Sequence, residues 1–179
     1  MHSALTLANT ISLSRALLAG PIIWSIHTGR FSLAVTIIVI AAITDALDGY
    51  IARKHNAVTP FGKMLDPIAD ATIMLSVSCY LIWFKSFPLW FFILLAIRYA
   101  LLSALALLAL RYYGYVMSAN WAGKCAVVLI AITLGLHAFD LGSWTTHYLA
   151  LYITLLFLSI STITYIQSFL KHAPFSGQH

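Results

Sequence analysis

The sequence predicts an all-α fold of membrane-spanning helices, on three observations. Of the 179 residues, 61% are hydrophobic and only 8% charged, against about 25% charged in soluble domains, so the chain lacks the polar surface that a water-exposed fold requires. The apolar residues run in stretches of about 20, which at about 1.5 Å rise per residue cross a hydrocarbon core about 30 Å thick. Each stretch breaks on glycine, proline or charge. A soluble enzyme, a disordered tail and a coiled coil are excluded. The length suits one domain covering 1–179.

Six spans are expected in order. The first, 5–27, is closed by Gly29-Arg30 and contains Gly20-Pro21, which predicts a kink. The second, 32–53, ends at Arg53-Lys54-His55-Asn56; Thr59-Pro60 then precedes the third, 63–84. Lys85-Ser86-Phe87-Pro88 separates the third from the fourth, 89–112, which Tyr113-Gly114 ends. Asp140 and Gly142-Ser143 divide the fifth, 121–140, from the sixth, 145–170. Arg53, Lys54, Lys63, Arg111, Lys124 and Lys171 would lie on one side, with Arg30 and Lys85 on the other. That excess of cations puts the 2–3 loop, the 4–5 loop and both termini in the cytoplasm. Trp and Tyr near the span ends, such as Trp24, Trp83, Trp121 and Trp144, fit interfacial belts.

The formal charge of +5 fits attraction to anionic lipid headgroups. No basic run or aromatic-interleaved stripe exists to follow a phosphate backbone, so nucleic acid is not an expected partner. Cys79 and Cys125 match no disulfide or zinc spacing and read as small apolar residues. The seven histidines fall mostly near span ends and show no ligand spacing, which suits solvated or capping roles; His55 stands beside the acidic segment. The first residues have neither a basic n-region leading to a cleavage site nor an Arg-rich transit pattern. A bacterial cytoplasmic membrane is therefore expected.

The acids are the informative residues. The chain has five, and four of them, Asp45, Asp48, Asp66 and Asp70, fall between positions 45 and 70. Each carboxylate at membrane depth costs about 2.5–3.5 kcal/mol on the insertion scale, before any mutual repulsion. Asp45, Asp48 and Ala52 are spaced i, i+3, i+7 on one helix face, and Asp66 and Asp70 are spaced i, i+4 on another. A connection over 54–61 turns the chain back, so the two faces can meet. Two divalent cations would balance four carboxylates, and oxygen-only donors favour Mg²⁺, Mn²⁺ or Ca²⁺ over zinc. Paired metals about 3.5–4 Å apart are the usual apparatus for displacement at phosphorus. Gly49 and Gly62 remove side chains where helices and ligand would crowd, although close helix packing alone would also explain Gly49. Arg53 could clamp a pyrophosphate or serve as an ordinary cytoplasmic charge.

Together these residues fit the pattern D-x2-D-G-x2-A-R-x8-G-x3-D-x3-D at every fixed position. In this the chain resembles the CDP-alcohol phosphatidyltransferases, strongly over 45–70 and loosely in its six-span layout. The resemblance implies an integral membrane homodimer that transfers a phosphatidyl group from CDP-diacylglycerol to an acceptor hydroxyl and releases CMP. It implies metal ligation by Asp45, Asp48 and Asp66. Asp70 would be a further ligand or the base that deprotonates the acceptor. Asp48, Gly49, Ala52, Arg53, Gly62 and Asp66 would shape or contact the CDP site. Two divalent ions, Mg²⁺ or Mn²⁺, are the implied cofactors.

Leu65-Asp66-Pro67, with Asn9 and Arg15, resembles the branch containing phosphatidylglycerophosphate synthase and the single-motif cardiolipin synthase. Glycerol 3-phosphate is accordingly the expected acceptor, with phosphatidylglycerol the alternative. The chain departs from that branch at Ala71, where Lys is usual, and at Cys125, since Gly123-Lys124 is not followed by a nearby Thr. Arg98, inside the fourth span, is a candidate for the acceptor phosphate or a partner for an aspartate. Lys124 and Arg111 are further candidates for the phosphate. A cation transporter is the reading from another class, but its carboxylates would line mid-membrane and not one end of two adjacent helices.

Overall fold

The computed structural model describes residues 17–54, 60–113 and 121–172, with side chains described at all of these except 42, 44–54, 60–70, 110, 112, 113, 171 and 172. Among them the regular structure is entirely helical: α1 (Ala19–His27), α2 (Phe31–Lys54), α3 (Pro60–Lys85), α4 (Leu89–Tyr113), α5 (Trp121–Ala138) and α6 (Trp144–His172). The chain divides after Phe87 into two compact units.

In the first unit α1 packs on both α2 and α3. Ala19, Ile22, Ser25 and Ile26 form the buried face of α1, and Val77, Ser78 and Leu81 are buried on α3. Ser25 and Ser78 meet no unsatisfied burial, because each hydroxyl donates to a carbonyl of its own helix, Ile22 O and Met74 O, both at 2.7 Å. Gly29 ends α1 at φ +65°; Arg30 N–H bonds Ser25 O and Gly29 N–H bonds Ile26 O, the paired closure that a left-handed glycine permits. The chain then reverses into α2. His27 shares a 3.0 Å hydrogen bond with the Tyr80 hydroxyl, and Tyr80 stacks on Phe84 at 4.7 Å. These contacts hold the end of α3 beside the end of α1, so α2 leads away from that end and α3 returns to it. The last turns of α2 and the first turns of α3 lie at the other end.

In the second unit α6 packs along α5 and also against α4. Ala126, Ile130, Thr133 and His137 are buried on α5, facing Leu151, Thr154, Leu158 and Ser161 on α6. Both sets recur at spacings of three and four, the seam of two nearly parallel-axis helices. Thr133 and Thr154 meet Oγ1 to Oγ1 at 2.7 Å; Thr133 also reaches Ala150 O and Thr154 reaches Leu129 O. Leu141 N–H closes α5 onto Leu136 O across Asp140, which is exposed at φ 51°. Ser143 opens α6: its Oγ accepts from Thr146 N–H while Thr146 Oγ1 accepts from Ser143 N–H, a reciprocal cap.

Leu89–Ala109, Trp121–Ala138 and Trp144–Leu170 are long and apolar enough to cross a membrane. Among the described residues α2 and α3 add shorter apolar stretches, Phe31–Ala41 and Ala71–Lys85. With the composition, these make the chain a membrane protein. Trp83, Trp121 and Trp144, each about four-fifths exposed, stand at helix ends, as interfacial tryptophans do.

The five later helices begin and end within a few residues of the sequence expectation. The largest shift is at α3, which starts at Pro60 and not at 63; proline suits a first helical position, where its missing N–H loses no bond. Gly62 therefore lies inside the first turn and the connection shortens to 55–59. Pro21 stands in the first turn of α1 as described; the expected kink would involve residues before 17, outside the described residues.

Candidate active site

The sequence-predicted site residues fall on two consecutive helices. Asp45, Asp48, Gly49, Ala52 and Arg53 occupy the last three turns of α2. Gly62, Asp66 and Asp70 occupy about the first three turns of α3. The helical backbone gives Asp45 and Asp48, and likewise Asp66 and Asp70, the one-turn separation that places each pair on one face. Because α2 runs toward the 55–59 connection and α3 runs from it, both pairs belong to the same end of the first unit. Their side chains lie outside the described residues, as does His55. Among the described residues no three His, Cys, Asp or Glu side chains gather as a metal site.

Arg98 lies in the second unit, deep in α4 and only 7% exposed. Its Nη2–H donates to Ser161 Oγ of α6 at 3.4 Å, and its guanidinium carbon is 5.2 Å from the Tyr99 ring centroid. The Nε atom is buried and has no hydrogen-bond partner among the described residues. A buried guanidinium with an unpartnered Nε retains donor capacity for an anion. Arg111 is exposed in the last turn of α4, and Lys124 is exposed in the first turn of α5. Thirteen residues (111 − 98) separate Arg98 from Arg111, about 20 Å along the helix. The structure does not bring those two cations to a single phosphate.

Two arrangements were not anticipated from sequence. Ser161 is one; the recurrence of buried positions 151, 154, 158 and 161 along α6 was the available signal. The other is the His137–His147 pair, with ring centroids 4.5 Å apart. His137 Nδ1–H donates to Thr133 O and His147 Nε2–H to Leu141 O, so both cap carbonyls as expected, although His137 is buried and not solvated. Cys79 and Cys125 are both free thiols.

The fold defines an all-helical membrane protein whose sequence places two acidic pairs on the consecutive ends of α2 and α3. Residues 5–160 match the family model described as CDP-alcohol phosphatidyltransferase, and the chain belongs to that family. It is similar to the "CDP-diacylglycerol--glycerol-3-phosphate 3-phosphatidyltransferase" of Bacillus subtilis, 38% identical over 128 residues, covering 69% of this chain and 66% of that one. It is also similar to the "Cardiolipin synthase (CMP-forming)" of Streptomyces coelicolor, 32% identical over 68% of this chain and 60% of the relative. A "Probable phosphatidylglycerophosphate synthase" of Mycobacterium tuberculosis is 33% identical over 64% of this chain and 54% of its own. The chain thus spans between 54% and 66% of the length of these curated relatives.

Proposed function

We propose that the protein transfers a phosphatidyl group from CDP-diacylglycerol to the hydroxyl of glycerol 3-phosphate, forming phosphatidylglycerophosphate and releasing CMP. The observation that carries this reading is the register of Asp45, Asp48, Asp66 and Asp70 on the adjoining ends of α2 and α3, in a chain of this family. The donor set is all oxygen and carries four negative charges, which suits two Mg²⁺ or Mn²⁺ ions. Held by these carboxylates, the ions would supply charge neutralisation at the pyrophosphate.

The chain's own residues do the rest. Gly49, Ala52 and Gly62 leave room for the cytidine nucleotide, and Arg53 holds the pyrophosphate as a bidentate fork. Asp70 takes the proton from the acceptor hydroxyl. That oxygen bonds to the phosphorus bearing diacylglycerol as the bond to the CMP oxygen breaks. Arg98 takes the acceptor's phosphate; Arg111 and Lys124 attract the anion electrostatically from the consecutive ends of α4 and α5. Six spans with cytoplasmic termini, in a homodimer of the bacterial cytoplasmic membrane, would keep acyl chains in the bilayer and the nucleotide in water.

Asp70→Asn should abolish CMP release from CDP-diacylglycerol while leaving expression and helical content intact. Near-normal turnover in that variant removes Asp70 from the chemistry. The similarity to the Streptomyces cardiolipin synthase (CMP-forming) favours one second reading, with phosphatidylglycerol as acceptor and cardiolipin as product. Offering each acceptor in turn to the purified protein decides between them, and the product is read by lipid mass.

A further inference from the structure

Serine and threonine within apolar helices usually satisfy themselves by donating to a carbonyl one turn back. In α6, Ser159 does so to Leu155 O, Thr162 to Leu158 O and Thr164 to Ile160 O. Ser161 differs. It is 1% exposed, and its hydroxyl meets Nη2 of Arg98 across the α4–α6 contact.

The guanidinium it touches is itself more than nine-tenths buried, with Nε left unpartnered among the described residues. An arginine fork is pre-organised, and fixing one of its nitrogens fixes the direction of the others. Tyr99 flanks the same group at 5.2 Å. Charged nitrogen, rigid geometry and a buried, unpartnered donor together suit the oxygens of a phosphate.

We propose that Ser161 is a positioning residue for acceptor recognition: its hydroxyl holds the Arg98 guanidinium so that Nε is presented to an oxygen of an anionic acceptor, a phosphate monoester. This rests on the reading of Arg98 as the group that takes the acceptor's phosphate. Ser161 touches no reacting atom; it acts through Arg98. The hydroxyl therefore governs how tightly the acceptor binds and leaves the chemical step alone.

The experiment uses the full chain purified in detergent, as wild type, Ser161→Ala and Ser161→Thr. Two quantities are measured for each: KM and kcat for glycerol 3-phosphate by CMP release, and the rise in thermal midpoint that glycerol 3-phosphate produces without CDP-diacylglycerol. A hydrogen bond to a charged group predicts a KM raised about tenfold in Ser161→Ala, with kcat within about twofold, the pattern of lost acceptor binding without lost chemistry. With glycerol 3-phosphate near the wild-type KM, its thermal response should shrink several-fold in Ser161→Ala, and Ser161→Thr should restore both. If Ser161→Ala does not fold, Ser161→Cys carries the same comparison. An unchanged KM and thermal response in Ser161→Ala overturns the proposal, as does a fall in kcat at constant KM. Wild type that binds glycerol 3-phosphate through Ser161 yet releases no CMP supports the subsite and refutes the transferase reading. Wild type that shows neither turnover nor a thermal response refutes both.

Discussion

Ser86 and Asp140 hold the backbone in the left-handed region without being glycine, at φ 53° and 51°. Such a conformation costs an L-residue about 1–2 kcal/mol, and glycine forfeits about 0.5–1 kcal/mol of backbone entropy in exchange. Ser86→Gly should therefore stabilise the protein by up to about 1 kcal/mol, seen as a higher thermal midpoint in detergent. Gly142 gives the opposite case: at φ +97°, an added Cβ would lie 3.1 Å from Thr146 Cβ and Cγ2. Gly142→Ala should cost about 1–3 kcal/mol and lower the same midpoint. The glycine turns were legible in the sequence, since Gly29 and Gly142 stand between apolar runs. The Ser86 conformation was not, because serine at a break gives no sign of its φ. The aspartate register was legible because helical spacing alone fixes which residues share a face. The partner of Arg98 was not, because every hydroxyl in an apolar helix has a carbonyl of its own helix within reach, and sequence cannot tell which one turns aside.

Helix limits followed from punctuation: the breaks at Gly29-Arg30, Ser86-Phe87-Pro88 and Gly142-Ser143 bound α1 through α6 wherever the residues are described. Which face each helix buries was less legible. In α4, α5 and α6 apolar residues surround the axis, and an exposed Ile97 or Leu156 reads like a buried Leu95 or Leu151. The α5–α6 seam is marked instead by its hydroxyls. One of Thr133 and Thr154 donates to the other at 2.7 Å, and the accepting hydroxyl gives its own proton to a backbone carbonyl of the opposite helix, Ala150 O or Leu129 O. Thr133→Val and Thr154→Val should each destabilise the protein, and the pair should be non-additive. A coupling energy of about 0.6 kcal/mol, and at most about 1.7, is the expected range for such contacts in membranes. Unfolding midpoints of the two single variants and the double variant measure it.

The whole chain carries a formal charge of +5, yet four of its five acids lie on the two helix ends flanking 55–59. Under the proposed function these four carboxylates hold two divalent ions, which offset their like charges. Chelation should therefore abolish CMP release and lower the thermal midpoint, with Mg²⁺ or Mn²⁺ restoring both. Asp45→Asn, with one charge fewer, should lose less of its midpoint on chelation than wild type does. Composition alone identified a membrane protein, because 8% charged residues cannot clothe a soluble fold. It did not establish which helices cross, since α2 and α3 join an apolar half to a half bearing the acids. One consequence of the threonine bridge concerns biogenesis. With the Thr133 and Thr154 hydroxyls turned inward on one another, the couple formed by α5 and α6 shows acyl chains an outer surface free of those dipoles. It can leave the insertion machinery as a closed hairpin, and α4, already inserted, then meets by shape a surface already in order.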